Sequence, residues 1–246
     1  MQSLIIHMAS ATARAGNTAR LMHDLPNAQV VEAVNGRDPA QVADVATHPG
    51  TLHIPRYPFP LTPSEIGVFQ SHRRCWQHVI DQGWDMALIV EDDLRVDSPR
   101  LSRALALIDQ HATPDMYIRL PVKQRETTVQ TLAQDGDMAL ILPRVIALQC
   151  CCQVVGRNAA QRLLDASLEI DRPVDTWLQM HWATGQPIHS LLPNGNAEIA
   201  GQIGGSTIQQ KTRTSGKLMR ELKRAFYRTR VAMRPQRQPG ALVIRK

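Results

Sequence analysis

Aromatic residues are scarce in this 246-residue chain, with four Trp, three Tyr and three Phe. So few rings make a sheet-only protein packed on Tyr and Phe a poor expectation. Cysteine is also sparse: Cys75 stands alone, and Cys150, Cys151 and Cys152 form a run. Three adjacent cysteines cannot build a disulfide framework, and no C-x-x-C spacing signals a metal. The expectation is buried free thiols in a reducing compartment. No run of about 18 apolar residues is present, so no membrane-spanning helix is expected. Met1 to Met8 is too short and too quickly polar for a secretory signal. These absences together predict a cytoplasmic protein.

Apolar residues are plentiful at 43%, enough for a substantial core, which excludes wholesale disorder. The length suits one large domain, or one domain plus an appendage. Basic charge is unevenly placed. Residues 208–246 hold twelve Lys and Arg against Glu221 alone, a net +11, while the remainder carries −5. The chain therefore divides into a body, 1–207, and a basic tail, 208–246. Within the tail, Leu218, Leu222, Ala225 and Phe226 share one side of a predicted basic amphipathic helix from Gly216 to Arg234. Disorder is expected from Pro235 onward.

The body reads as alternating strands and helices, an α/β fold with a mostly parallel central sheet. Leu4 to Met8 and Ala28 to Val34 are strand candidates, the second closing at the turn Asn35-Gly36. Thr62-Pro63-Ser64-Glu65 is a helix start: Thr62 caps, Pro63 takes the first helical position and Glu65 completes a capping box. That helix should run to about Gln82. Met86 to Val90 is a fully apolar run that suits a central strand. Further expectations are a helix from Pro99 to His111, a strand from Met116 to Leu120 and a hairpin over Val129 to Leu142. Strand Cys151 to Val155 and helix Asn158 to Ala166 follow. A helix from Asp175 to Ala183 and a strand from Pro187 to Leu191 complete the set.

Glu91-Asp92-Asp93 ends the apolar run abruptly. In open α/β sheets, ligands bind at the carboxyl ends of strands. Three consecutive carboxylates there repel one another unless solvated or neutralised by a cation. Oxygen ligands of this kind suit Mg²⁺ or Mn²⁺, with the metal also holding substrate phosphates. A nucleotide-sugar diphosphate fits such a site. A solvated acidic loop capping the next helix is the alternative.

The segment Leu61-Thr62-Pro63-Ser64-Glu65-Ile66-Gly67-Val68-Phe69-Gln70-Ser71-His72, then Trp76, then Ala87 to Asp93, resembles glycosyltransferase family 25. The family pattern is L-T-x-x-E-I-G-x-x-x-S-H, a Trp, and an apolar strand ending in E-D-D. Ala33-Val34-Asn35-Gly36 is similar to its A-V-D/N-G turn, and Pro173-Val174-Asp175 to its P-V-D element. Gln202 to Ile208 is similar to its closing segment. The resemblance covers about residues 3 to 208. Two pieces depart from it. Arg14 and Arg20 stand for an arginine-rich stretch, and Gln149-Cys150 replaces a Gly-Thr.

The resemblance implies a GT-A-type fold and inverting transfer from a UDP-sugar. Glu91 and Asp93 then act as metal ligands of a DxD-like site, with His189 placed to complete the shell. Asp92, Ser71 and His72 fall to the donor side, as do Asn35, Gly36 and Arg37 at the end of an early strand. Inverting transfer needs a base on the acceptor hydroxyl. Asp175 and then Glu65 are the candidates, although each also has a helix-capping explanation.

The implied partners are a UDP-sugar donor and a lipid-linked or surface glycan acceptor, with Gal or Glc transferred to lipopolysaccharide or a related glycan. The basic tail suits an anionic inner-leaflet surface, placing the protein peripherally on the cytoplasmic membrane. No aromatic-basic interleaving points to nucleic acid. A metal-dependent nucleotide-sugar hydrolase would need only the carboxylates. A non-catalytic glycan-binding protein would keep only the fold.

Overall fold

The computed structural model of the chain describes residues 1–203 and 217–237. The chain runs β1 (Gln2–His7), α1 (Thr12–Asp24), β2 (Ala28–Glu32), α2 (Pro39–Val42), β3 (Ala46–Thr47), α3 (Pro63–Asp81) and β4 (Met86–Glu91). It continues through β5 (Leu94–Arg95), α4 (Ser98–His111), β6 (Tyr117–Arg119), β7 (Thr128–Asp135), β8 (Met138–Pro143), β9 (Cys152–Gly156) and α5 (Arg157–Ala166). Last come β10 (Glu169–Ile170), α6 (Val174–Leu178), α7 (His181–Thr184), β11 (Ile188–Leu192), β12 (Ala197–Glu198) and α8 (Lys217–Ala232).

Eight strands form one sheet in the order β2-β1-β4-β9-β6-β11-β8-β7. β2, β1 and β4 are parallel, as are β6 and β11. β9 is antiparallel to both β4 and β6, and β8 to both β11 and β7. The sheet is therefore mixed, which corrects the expectation of a mostly parallel one. Every residue of β9 is buried, so the strand is covered on both faces whichever way it runs and its sequence does not encode its direction. The reversal matters for the site. It brings the entrance to β9, with Cys150 to Cys152, to the same edge as the carboxyl end of β4.

Side chains alternate across the sheet and supply two cores. Leu4, Ile6, Ala87 and Ile89 face α3, α5 and α6, where Phe69, Trp76 and Trp177 meet. Ile5, Leu88 and Val90 face α1 and α4. The same alternation sends Glu91 toward α3 and Asp92 toward α1. The capping box of α3 forms as predicted, with Thr62 and Glu65 bonded reciprocally. The helix predicted over Asp175 to Ala183 is instead two short ones, α6 and α7, separated at Gln179 and Met180.

Residues 217–237 are docked on the body. Tyr227 and Val231 of α8 are buried. Arg172, itself buried against Asp171, donates to the Tyr227 hydroxyl at 3.0 Å. Gln236 ties the strand edges together: its amide donates to Pro143 O and Ile188 O and accepts from the Ile188 N–H. The opposite side of α8 presents Leu218, Leu222 and Phe226 to solvent, 56 to 77% exposed. Among the described residues, no helix is long and apolar enough to cross a membrane. Residues 204–216, which hold most of the closing segment and the start of the tail, and residues 238–246 lie outside the described residues.

Candidate active site

Three acids leave the tip of β4 in three directions. Glu91 turns toward α3, where its Oε1 lies 3.2 Å from His72 Nε2. His72 is buried, and its Nδ1 lies 2.9 Å from Gln153 Nε2. The Tyr117 hydroxyl donates to Gln153 Oε1 at 2.7 Å. An amide N–H donated to Nδ1 leaves the imidazole proton on Nε2, where it points at Glu91. Tyr117, Gln153 and His72 thus form an oriented chain that ends on the Glu91 carboxylate.

Asp92 turns the other way and is buried. One oxygen meets His7 Nδ1 at 2.7 Å and the other meets Arg14 Nη1 at 2.5 Å. Asn17, one turn beyond Arg14 on α1, donates to the carbonyls of Asp92 and Leu94 at 2.8 Å each. Arg14 reaches on to Asp93 at 3.2 Å. Burial disfavours the Arg14 charge, but Asp92, with Asp93 and Glu91 behind it, outweighs burial and raises its pKa.

Asp93 stays at the mouth. Its pKa is pushed up to about 6, by burial first and then by Glu91, with Arg14 pulling the other way. Glu198, on the β12 strand that pairs with β5, adds further negative charge to Asp93.

The segment entering β9 closes the floor. Gln149 holds a left-handed backbone, φ 81°, unusual for a residue with a Cβ. Arg119 at the end of β6 fixes it by donating to Leu148 O and Gln149 O. Arg119 is itself paired with buried Glu126. The Gln149 N–H donates to Asp175 Oδ2 at 3.3 Å, and its side-chain amide donates to Glu198 at 3.2 Å. The other Asp175 oxygen accepts from the Thr176 N–H at 2.6 Å. Burial raises the Cys150 thiol pKa, and the nearby charges of Glu91 and Asp175 raise it further.

The sequence model of glycosyltransferase family 25 (LPS biosynthesis protein) matches residues 1–178. The chain belongs to glycosyltransferase family 25. It is similar to human procollagen galactosyltransferase 2, 31% identical over 165 residues, which are 61% of this chain and 25% of that protein. It is also similar to mouse inactive glycosyltransferase 25 family member 3, 32% identical over 99 residues, 37% of this chain and 16% of the relative. Zebrafish procollagen galactosyltransferase 1 is 35% identical over 74 residues, 28% of this chain and 12% of the relative. The chain spans a quarter or less of the length of these relatives.

Within this family 25 chain, the predicted residues fall into two groups. Glu91, Asp93 and Asp175 reach the carboxyl edge of the sheet. His72 lies beneath them as a support for Glu91, too deeply buried to line a sugar pocket. Asp92 does not face a donor, because both of its oxygens are occupied by His7 and Arg14. Ser71 is buried, and its hydroxyl donates to Gly67 O and accepts from the Val34 N–H, so it fastens α3 to the end of β2. His189 is a correction. It is the second residue of β11, not the last, and the strand register sets it level with Leu88, three residues short of Glu91. It cannot close a metal shell at the strand tip.

Gly36 is a packing residue, since a Cβ there would fall 1.7 Å from Pro63 O. Asn35 closes its own turn by accepting from the Arg37 N–H, and Arg37 is exposed beside it. Glu65 Oε2 is engaged by Thr62 in the capping box. Sequence reasoning missed His7, Asn17, Gln153 and Glu198, and noticed Arg14, Gln149 and Cys150 without placing them. One signal was present: Arg14 and Asn17 are spaced to share a helix face.

Proposed function

We propose that this family 25 member is an inverting glycosyltransferase that moves Gal, or Glc, from a UDP-sugar onto a lipid-linked surface glycan of the lipopolysaccharide type. One observation carries the reading. Glu91, Asp93 and Glu198 gather negative charge at the carboxyl edge of the sheet, and a separately anchored carboxylate, Asp175, acts with Glu91 on the same Cys150. The family description speaks for lipopolysaccharide, and the relatives' names speak for galactose.

The residues at the strand tip fit a hard divalent cation, Mn²⁺ or Mg²⁺. Burial and the neighbouring Glu91 raise the proton affinity of Asp93, and a cation relieves that repulsion. Such an ion would offset the charge of the departing diphosphate. Glu91 and Asp93 would hold it, Glu91 being oriented by His72. Arg14, braced by Asp92, supplies fixed positive charge to the same tip. Asp175 accepts the proton of the acceptor hydroxyl as its oxygen attacks the anomeric carbon from the face opposite the diphosphate. Its anchors, the N–H groups of Gln149 and Thr176, keep the carboxylate from rotating away.

α8 supports a membrane-bound acceptor. Its solvent face combines Leu218, Leu222 and Phe226 with Arg220, Lys223 and Arg230, the pattern of an interfacial helix. Arg220 and Arg224 lie over the Phe59 ring, and Tyr227 packs on Tyr57. Tyr57 and Tyr227 both feel the Asp175 charge, so α8 stands on the acceptor side. The buried free thiols fit the cytoplasmic side of that membrane.

A second reading, a glycan-binding protein without turnover, is the alternative to test, since one relative is named as inactive. The deciding experiment supplies UDP-Gal or UDP-Glc, Mn²⁺ and a panel of acceptor glycans. Acceptor-dependent UDP release, abolished by chelation, is expected. UDP release indifferent to acceptor would indicate a hydrolase. Glycan binding without any UDP release would indicate the second reading.

A further inference from the structure

Among the described residues, one group brings three potential metal-ligand atoms within 4.8 Å of one another: His72, Glu91 and Cys150. They come from three separate elements, α3, β4 and the segment entering β9. His72 Nε2 is 3.2 Å from Glu91 Oε1 and 3.4 Å from Cys150 Sγ, and Sγ is 3.8 Å from Oε1. A tetrahedral zinc with Zn–N and Zn–O of about 2.0 Å and Zn–S of about 2.3 Å has ligand-to-ligand edges of roughly 3.3 to 3.6 Å. The triangle already has nearly those dimensions.

We infer that His72, Glu91 and Cys150 form a binding site for a thiophilic divalent cation such as Zn²⁺, distinct in chemistry from the oxygen-only site at the strand tip. A sulfur, a nitrogen and a single carboxylate oxygen select zinc over Mg²⁺ or Mn²⁺. Three protein ligands leave a fourth position for water. His72 and Cys150 are buried, whereas the Glu91 side chain is 28% exposed, so that position opens toward the mouth.

The supporting shell is in place. A metal-bound imidazole holds its proton on the other nitrogen and donates it to a fixed acceptor. Here Nδ1 faces the Gln153 amide, which is anchored by Tyr117. A half-turn of that amide exchanges its nitrogen and oxygen, presenting the oxygen to Nδ1–H and the NH₂ to the Tyr117 oxygen, and leaves the other heavy atoms in place. The left-handed Gln149, clamped by Arg119, sets the direction of the Cys150 side chain. On binding, the Cys150 thiol gives its proton to solvent and the sulfur bonds the metal. The uptake converts a thiol and a carboxylate into a site of zero net charge. Glu91 belongs to both sites. If the transferase reading holds, zinc there competes with the Mn²⁺ that Glu91 would otherwise bind.

The test needs neither donor nor acceptor. The full chain is stripped with chelator and titrated with Co²⁺ as a spectroscopic stand-in for zinc. A thiolate-to-cobalt charge-transfer band with tetrahedral visible bands should rise to one Co²⁺ per chain and be displaced by Zn²⁺. Cys150→Ser should abolish the charge-transfer band, and Cys75→Ser should leave it intact. Gln153→Ala should weaken binding by about 10- to 100-fold, as loss of a supporting hydrogen bond does. A wild-type chain without the band, or a band that survives in folded Cys150→Ser, overturns the assignment. The wild-type titration decides even if a variant fails to fold. Loss of transfer activity bears only on the function proposed above, because this readout is optical.

Discussion

The backbones of Gly36 and Gly67 touch: a Cβ on Gly67 would sit 2.6 Å from the Gly36 nitrogen and 2.6 Å from Val34 O. This crossing presses the first turn of α3 against the end of β2, and Ser71 stitches it with two hydrogen bonds. The glycines of two sequence motifs thereby explain each other. Gly67→Ala must push the helix off the strand. Overpacking of this kind destabilises by about 1–3 kcal/mol. Urea unfolding should show that loss, whereas Gly16→Ala, whose Cβ meets nothing within 4 Å, should not be destabilised.

Asp93 makes the site pH-sensitive. Its folded pKa of about 6 lies above its ordinary value of 3.8. The folded state therefore holds its proton longer than the unfolded state. That contribution to stability is full below about pH 4 and is lost as pH rises through 6. Relative to Asp93→Asn, the metal-free protein should lose stability between pH 4 and 6.5 and stay level above. Cation affinity should move oppositely, rising through pH 6 as the carboxylate is freed. Unfolding titrations and Mn²⁺ binding across this range check both slopes, and equal slopes in protein and variant would remove Asp93 from the account.

Two carboxylates were candidates for the base, and their surroundings separate them. Glu65 caps α3, while Asp175 is fixed at the floor near Cys150 and Glu91. Asp175→Asn should lower kcat by about 10²- to 10⁴-fold with little change in donor KM. Glu65→Gln keeps a capping-box residue, so it should cost less than about 1 kcal/mol of stability and leave kcat within a few-fold. Steady-state kinetics on the two variants decides between them.

Local signals were legible in the sequence. The capping box, the apolar run of β4 and the acids at its end all rest on near-neighbour chemistry, and all stand where expected. Long-range pairing was not. Nothing in Cys152 to Gly156 reveals that β9 runs backward, yet that reversal is what delivers Cys150 and Gln149 to the site. His189 was misplaced for a related reason, since composition does not give strand register. The divergence of Glu91, Asp92 and Asp93 follows from side-chain alternation. Their partners, His7 and Arg14 on one face and His72 on the other, are 19 to 85 residues away in sequence.

Gln149 stores backbone strain where it contacts Asp175. A side chain at φ 81° is held in a conformation that glycine adopts freely. Gln149→Gly should relieve about 1 kcal/mol of strain, less the greater unfolded-state freedom of glycine. The same change removes the hydrogen bond to Glu198. Thermal unfolding should show equal or higher stability, with donor KM raised if Glu198 is held in place by that bond. A marked fall in stability would mean that Arg119 alone does not hold the segment.

The exposed face of α8 can be tested without cutting it off. Truncation would strip Tyr227 and Gln236 from the body and so confuse folding with binding. Leu222 and Phe226 are both more than half exposed, so changing them leaves the docked side untouched. Leu222→Glu with Phe226→Glu replaces apolar insertion by repulsion from an anionic surface. Each buried side chain of this size contributes about 1.5–3 kcal/mol to partitioning. The double variant should therefore bind anionic vesicles at least about tenfold more weakly, by co-sedimentation, while its melting temperature stays within a few degrees. Turnover of a soluble acceptor should be preserved, and turnover of a vesicle-borne acceptor should fall. Equal vesicle binding by variant and parent would detach this helix from the membrane and leave its cations to another anionic partner.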